Sequence, residues 1–156
     1  MIACGCKRDK QKKLVIEEFN ENEIDEKMAG ETLEMINMLL DNDCDVNLQN
    51  REGMTALMFA CIAGDVSWVK LLAEFPRCDL EISSSLFHSK TALLFAAQSG
   101  RQDVIQSLLS SGADINAVTD SEDNALILAA IQGSPLAVQC LIENEIDINS
   151  QNKVLV

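Results

Sequence analysis

One ten-residue pattern occurs three times in this 156-residue chain and limits the folds open to it more than any other feature. The copies read TALMFACIAG from Thr55, TALLFAAQSG from Thr91 and NALILAAIQG from Asn124, with starts 36 and 33 residues apart. They align without gaps. Repetition at such a period is typical of solenoid proteins, in which each small unit stacks on copies of itself.

Each copy predicts a first helix. Thr55, Thr91 and Asn124 are residue types that cap helix N-termini by accepting backbone N–H bonds. A Leu and an Ala three residues apart then share one helix face. The copies end on glycine, which adopts the left-handed conformation that closes many helices; these residues are Gly64, Gly100 and Gly133.

A second helix follows each glycine, over about 66–74, 102–110 and 135–143. Asp65 and Ser134 suit its N-cap, and Pro135 suits its first turn. The apolar residues expected to point inward are Val69 and Leu72; Ile105, Leu108 and Leu109; and Val138, Leu141 and Ile142. One such helix pair cannot bury its apolar face alone, whereas stacked pairs can.

Each unit then closes on an Asp-apolar-polar turn, at 79–81, 114–116 and 147–149. A weaker unit precedes the three and closes in the same way at 45–47. Its first helix would be Glu23–Ala29, which is mostly charged where the later copies are apolar. This pattern fits an N-terminal cap with a polar outer face.

These residues resemble the ankyrin repeat family over about residues 17–152, and Ser111–Asn116 carries the family's Gly-Ala-Asp-apolar-Asn close in full. The resemblance implies an all-α solenoid of stacked helix-turn-helix units with β-turn or hairpin tip loops. It divides the chain into a basic, disordered leader (1–16), a degenerate capping repeat (17–49), three repeats (50–85, 86–118 and 119–151) and the start of a further repeat (152–156).

The chain departs from the family pattern in four respects. Ala56, Ala92 and Ala125 replace a proline, and Met58, Leu94 and Ile127 replace a histidine, so the usual hydrogen-bonded brace of the turn is expected to be missing. The tip glycine is present as Gly53 but replaced by Ser89 and Glu122, and the second unit carries three extra residues around 75–89. We expect looser tip loops and only moderate stability.

The last unit is also unusual, because the sequence stops where the tip of a further repeat would begin. Terminal units of repeat arrays usually need a polar outer face. Ile127, Ile131 and Leu136 are therefore expected to be partly uncovered. A truncated product, an alternative isoform, or a partner that sits there would each explain this.

Charge is distributed unevenly. The net charge is −13, but residues 1–13 carry +4 and residues 14–156 therefore carry −17. Such an acidic body repels phosphate backbones and attracts basic protein partners, so nucleic-acid binding is not expected. No signal peptide and no apolar run of about 20 residues is present. Six cysteines in such a chain favour free thiols in the cytoplasm, the nucleus or both.

The leader offers an alternative, since Cys4 and Cys6 lie beside five basic residues. Acylation plus a polybasic patch makes a two-part membrane anchor, although a disordered leader is the simpler interpretation. As a metal site, the cysteine pair lacks two further ligands. By their register, Cys44, Cys61 and Cys78 are expected to be small core residues rather than nucleophiles.

Two apparent functional motifs are weak. Residues 41–52 place oxygen-bearing side chains at the spacing of a calcium-binding EF-hand loop, but Val46 stands where its sharp bend needs glycine. The repeat register explains Asp45–Asn47 without calcium. His88 is the only histidine, and no nucleophile accompanies it. We therefore expect no enzyme activity, no cofactor and no metal.

In ankyrin proteins, partners commonly contact the tip loops and the exposed end of the first helix. The resemblance implies these contact residues here: Arg51, Glu52 and Met54; Phe87, His88 and Lys90; Asp120, Ser121 and Asp123; and Ile62, Gln98, Ile131 and Gln132 at the helix ends. Phe87, Met54, Ile62 and Ile131 would be apolar anchors inside a charged rim.

The function that follows is a monomeric protein–protein interaction module that acts as scaffold, adaptor or masking binder. One alternative is a membrane-tethered adaptor that uses an acylated Cys4 or Cys6. The other is a non-catalytic fragment of a larger ankyrin-containing enzyme or signalling protein.

Overall fold

The computed structural model of the chain describes residues 44–153, Met38 and the backbone of Gly5–Cys6. Within residues 44–153, the α-helices form three pairs: α1 Ala56–Ala63 with α2 Val66–Ala73, α3 Ala92–Gln98 with α4 Gln102–Ser110, and α5 Ala125–Gln132 with α6 Pro135–Glu143. A 3-10 turn spans Ser85–Phe87. Two short strands, β1 Gly5–Cys6 and β2 Cys44–Asp45, pair antiparallel. The predicted all-α repeat architecture is confirmed.

The pairs stack side by side into one array. Helix α3 packs between α1 and α5, and α4 packs between α2 and α6. Small side chains such as Ala60, Ala96 and Ala129 are fully buried in the first helices and allow the close approach. Cys61 and Cys44 also lie in the core, as their register predicts, whereas Cys78 is half-buried.

Two of the three predicted first-helix caps are present. The Thr55 hydroxyl accepts a hydrogen bond from the Met58 N–H at 3.3 Å, and the Asn124 side chain accepts one from the Ile127 N–H at 2.9 Å. The prediction that Thr91 caps α3 is wrong, because its buried hydroxyl finds no hydrogen-bond partner within the described region. The apolar side chain of Leu94, three residues later, cannot accept the Thr91 N–H, so α3 also lacks the reciprocal bond that Met58 provides in α1.

In the first repeat, a bond to the Met58 sulfur takes the place of the hydrogen-bonded brace that was expected to be missing from the turn. The Met58 sulfur accepts a hydrogen bond from the Thr55 N–H at 3.4 Å, so the two residues cap each other. The prediction of a missing brace is therefore wrong for this unit. A polarisable thioether can fill this place because it is a weak acceptor that also suits an apolar core.

The second helices begin as predicted. The Asp65 carboxylate accepts from the Ser67 and Trp68 N–H groups at 3.0 and 3.2 Å. The Ser134 hydroxyl accepts from the Ala137 N–H at 3.4 Å, and Pro135 occupies the first turn of α6. These caps satisfy N–H groups that the helix itself leaves unpaired.

The four closing turns each contain the same type of hydrogen bond. In each, an aspartate side chain accepts from the backbone N–H two residues later, at 2.9 to 3.1 Å; the aspartates are Asp45, Asp79, Asp114 and Asp147. This is the turn that aspartate favours locally. Asp45 thus has a structural role shared with three other residues, and Val46 is buried. Residues 41–43 of the apparent calcium loop lie outside the described residues.

Candidate protein-binding surface

Three hairpin tips project from one edge of the array. The first closes by a hydrogen bond from the Asn50 N–H to the Met54 carbonyl at 2.9 Å. The second and third close by isolated antiparallel bridges, Ser84 with Lys90 and Val118 with Asn124. One tip position is left-handed in all three, with φ of 76° at Gly53, 56° at Ser89 and 64° at Glu122. The tips therefore keep one turn conformation even where glycine is absent.

Neighbouring tips are joined at one recurring carbonyl. The Glu52 carbonyl accepts from the Ser84 hydroxyl at 2.8 Å. The equivalent His88 carbonyl accepts from the Asp120 N–H at 3.1 Å, and the equivalent Ser121 carbonyl accepts from the Lys153 N–H at 2.9 Å. Because most of this bonding is backbone to backbone, the tips form a continuous edge with regular spacing.

A row of exposed side chains runs beside the tips, at the C-terminal ends of the first helices. Ile62, Gln98 and Ile131 occupy equivalent positions in α1, α3 and α5. All three are exposed, and Ile131 exposes 74% of its surface. Burial of a large aliphatic side chain is favourable, so Ile62 and Ile131 are two apolar contact points with the polar Gln98 between them.

The second tip and the end of α3 are linked by a group of four residues, which we call the Phe87 cluster: Phe87, Lys90, Phe95 and Gln98. The Phe87 and Phe95 rings meet edge to face, with centroids 5.9 Å apart. The Lys90 ammonium lies 5.9 Å from the Phe95 centroid and donates to the side-chain amide oxygen of Gln98 at 2.7 Å. Partial burial lowers the pKa of Lys90, and the charge of Asp123 opposes this shift.

The third tip supplies the acidic part of the surface. Asp120 and Glu122 are exposed, and Asp123 is half-buried. The Glu122 carboxylate lies 3.2 Å from the Lys153 ammonium, an exposed pair that contributes little to stability. The Asp123 carboxylate accepts from the Asn152 side chain at 2.6 Å. The exposed Asp120 side chain faces solvent, while Asp123 helps hold the tip together.

Most residues implied by the resemblance lie on this surface. The exposed ones are Arg51, Glu52, Ile62, Phe87, His88, Gln98, Asp120, Ile131 and Gln132; Lys90, Ser121 and Asp123 are half-buried. Met54 is a correction, since it is 2% exposed and belongs to the core. It precedes the buried cap Thr55, so its side chain points into the array and cannot serve as a surface anchor.

Sequence reasoning missed Leu86, which is 65% exposed in the 3-10 turn beside Phe87. The available signal was an apolar pair inside the otherwise polar segment 83–90. Part of the insertion lies in this tip, because the Ser84 N–H bonds the Lys90 carbonyl six residues on, whereas the closing bonds of the other tips, Asn50 to Met54 and Thr119 to Asp123, span four. Together Leu86 and Phe87 make the second tip the most apolar of the three.

The described cysteines are not set up as nucleophiles. Burial raises the pKa of the Cys61 thiol far above its usual value, and neighbouring Cys78 adds to the shift. Burial, with the charge of Asp79, raises the pKa of Cys78 to about 11. Thiols in such surroundings react poorly because the thiolate is the reactive form. Among the described residues, no three His, Cys, Asp or Glu side chains lie close enough together to hold a metal ion.

The acylation hypothesis falls on Cys4, which lies outside the described residues, and on Cys6, whose backbone alone is described. Within the described ranges, none of the helices has the length and apolar character needed to cross a bilayer.

Comparison with known proteins identifies the architecture. The model of the family "Ankyrin repeats (3 copies)" matches residues 27–119 and again 91–152. The chain is 35% identical over 83 residues to the mouse (Mus musculus) protein named ankyrin repeat and SAM domain-containing protein 6, covering 53% of this chain and 9% of that protein. It is 30% identical over 115 residues to neurogenic locus notch homolog protein 1 of Xenopus laevis, covering 73% and 4%.

A putative E3 ubiquitin-protein ligase of Arabidopsis thaliana is 30% identical over 128 residues, covering 74% of this chain and 28% of that protein. The chain thus spans only a small part of the length of these relatives. What they share with it is the repeat region, and ankyrin repeats are protein–protein interaction modules. The family match and the stacked helix pairs lead to one conclusion: the chain belongs to the ankyrin repeat family.

Proposed function

We propose that the chain binds a protein segment laid across its three tips and along the row Ile62, Gln98 and Ile131. The observation that carries the proposal is the Phe87 cluster. It joins the second tip to the end of α3 through the 2.7 Å bond between Lys90 and Gln98. The tips and the helix ends thereby form one surface, with an aromatic ring at its centre and an isoleucine on either side.

The chemistry of this surface specifies the partner. Leu86, Phe87 and the two isoleucines suit apolar side chains, and the exposed carboxylates of Asp120 and Glu122 suit Lys or Arg. The body of the chain carries −17 over residues 14–156, which steers a basic partner toward it. The proposed ligand is therefore a basic segment with one or more large apolar residues.

The mode of action is occupancy. As an adaptor or scaffold, the protein would hold the bound segment close to a second partner. As a masking binder, it would block the access of other proteins to that segment. We also propose that the protein resides in the cytoplasm or nucleus, since the thiols of Cys61 and Cys140 are free and buried, which suits a reducing compartment.

The test uses the full chain with a photo-crosslinking residue in place of the exposed Gln132, which lies beside Ile131 on this surface, and exposes it to a cell extract. Ile62→Ser with Phe87→Ser removes two apolar anchors, and Leu136→Ser is the matched control, since Leu136 is 60% exposed on the opposite, second-helix side. We expect crosslinked proteins that are lost in the double variant, kept in Leu136→Ser and weakened by salt. Identical crosslinks in all three proteins would reject this surface as the binding site.

A further inference from the structure

A groove runs between α2 and α4 on the second-helix side of the array. Its volume is about 1010 Å³. One face of each helix forms a wall, with Lys70 and Ala73 on the α2 wall and Ser107 and Ser110 on the α4 wall. Residues three apart lie on the same side of a helix, so both walls are continuous. The groove lies inside the array, between two described helix pairs.

One of the extra residues of this repeat shapes the end of the groove. Seven positions separate Leu72 from the closing Asp79, whereas six separate Leu108 from Asp114 in the next unit. The longer connection turns back on the end of α2, where the Phe75 N–H bonds the Leu72 carbonyl at 3.2 Å. Phe75 and the proline after it line the groove. The insertion thus adds an apolar end to this groove.

The neighbouring groove, between α4 and α6, is bridged by side chains. The amide oxygen of Gln106 accepts from the Cys140 thiol at 3.5 Å and from the Asn144 side chain at 3.3 Å. These bonds join the two helices and leave the polar groups paired. The equivalent positions in the groove between α2 and α4 are Lys70, Ser107 and Ser111.

The groove between α2 and α4 has an unpaired polar group instead of this bridge. Ser107 is 6% exposed, and its hydroxyl has no hydrogen-bond partner among the residues that the structure describes. The Ser111 hydroxyl donates along its own helix, to the Ser107 carbonyl at 3.0 Å. An ammonium group only donates, so Lys70 cannot accept the Ser107 O–H as Gln106 accepts its two donors. A bound molecule can supply the acceptor that this buried hydroxyl lacks.

We propose that the groove binds a short extended segment of a partner protein in which one position separates an acidic residue from a large apolar residue. The carboxylate accepts from the Lys70 ammonium and the Ser107 hydroxyl. The apolar side chain packs against Phe75 and Pro76 at the end of the groove. Phe75 follows Lys70 by five positions, just beyond the end of α2, which corresponds to about 7 Å of helix rise. Side chains two apart in an extended strand point the same way at about 7 Å.

Other occupants fit the groove less well. It is open along its length, whereas sites for small molecules enclose most of their ligand. The exposed acids Glu74 and Asp103 also line it and repel a second carboxylate or a polyanion, so a segment with a single acid is favoured. The groove includes none of the tip residues, so this site is separate from the surface proposed above.

The test begins with a library of random heptapeptides displayed on phage, with the full chain as bait. The library is first depleted on the variant Ser107→Leu. Leucine already occupies the equivalent position of α2, as Leu71, and in α4 it would fill the base of the groove. We expect the retained peptides to share the acidic-x-apolar pattern. A synthetic peptide of that consensus then serves as the probe in fluorescence polarisation.

Three single variants of the full chain locate the bound probe. Ser107→Ala should weaken its binding about tenfold without lowering Tm, because the bond lost is to the ligand and not within the protein. Lys70→Gln should weaken it by at least as much and reduce its salt dependence. The matched control is Ser67→Ala, since Ser67 is an exposed serine of α2 that does not line the groove, and it should leave the dissociation constant unchanged.

Any of four results would overturn the proposal. The library could yield no peptide that the parent chain retains and Ser107→Leu does not. The consensus could lack an acidic residue. Ser107→Ala could bind the probe as the parent does, or lower Tm, which would make the hydroxyl a structural group. The binding could be lost in Ile62→Ser with Phe87→Ser, which would place the probe on the tip surface.

Discussion

At the residue scale, Thr55 and Thr91 show how one residue type at equivalent positions can have opposite consequences. The Thr55 hydroxyl accepts the Met58 N–H, whereas the Thr91 hydroxyl is buried with no hydrogen-bond partner in the described region. A satisfied cap stabilises a helix by about 1 kcal/mol. A buried hydroxyl without a partner costs about 1–3 kcal/mol. The first cap therefore stabilises the array, and the second hydroxyl weakens it.

Replacement of each threonine by the isosteric valine tests this difference. We expect Thr55→Val to lower the free energy of unfolding by about 1 kcal/mol, because the Met58 N–H loses its acceptor. We expect Thr91→Val to leave it unchanged or raise it, because no bond is lost and a buried polar group is removed. Urea unfolding of the two variants beside the parent chain measures both. Equal losses would mean that the Thr91 hydroxyl is hydrogen-bonded in solution.

At the scale of the helix pair, the approach of neighbouring units depends on the glycine that ends the first helix. A Cβ atom on Gly100 would lie 2.9 Å from the Ser134 Cβ, and the Ser134 hydroxyl donates to the Gly100 carbonyl at 3.2 Å. A Cβ on Gly133 would meet no atom of the described chain within 4 Å. Both glycines are left-handed, with φ of 67° and 75°. They differ in whether the next pair packs against them.

Alanine at each glycine separates backbone strain from steric contact. Gly133→Ala should lower the free energy of unfolding by about 1–2 kcal/mol, the cost of a left-handed backbone for a residue with Cβ. Gly100→Ala should cost more, by about 1 kcal/mol or above, because α6 must also move away from α3. Chemical denaturation at equal protein concentration compares them. If Gly133→Ala proved the more damaging change, the packing argument would be wrong.

At the scale of the whole molecule, the sequence predicted well those features that depend on the local residue pattern within one repeat. Helix positions, the Asp65 and Ser134 caps and the closing turns follow from spacing within one unit, and the structure confirms them. It predicted less well which side chains are buried, because burial depends on contacts between repeats. Met54 is adjacent to an exposed tip yet buried, because the array folds over it. Ile131 looks like an uncovered end residue until its equivalents are compared.

The unequal cover of the three pairs leads to a prediction for local stability. In a repeat array, each unit depends on its own stability and on its interfaces; among the described residues, the last pair packs against one neighbouring pair and the middle pair against two. We expect backbone amides around Leu141 in α6 to exchange hydrogen at least about ten times faster than those around Leu108 in α4. Hydrogen exchange followed by mass spectrometry measures this. Equal protection in both helices would show that the array opens only as one unit.

The recurring carbonyl that joins the tips has a consequence for how binding specificity could change. Its bonds at the second and third tips come from the main chain of the next unit, so the distance between loops does not depend on which side chains the loops carry. Asp120 or Phe87 can thus be exchanged for other residues while the positions they occupy stay where they are. The spacing of the loops is fixed by backbone bonds, while the side chains on them can vary. The ligand specificity of such a chain can therefore change without a change in the repeat scaffold.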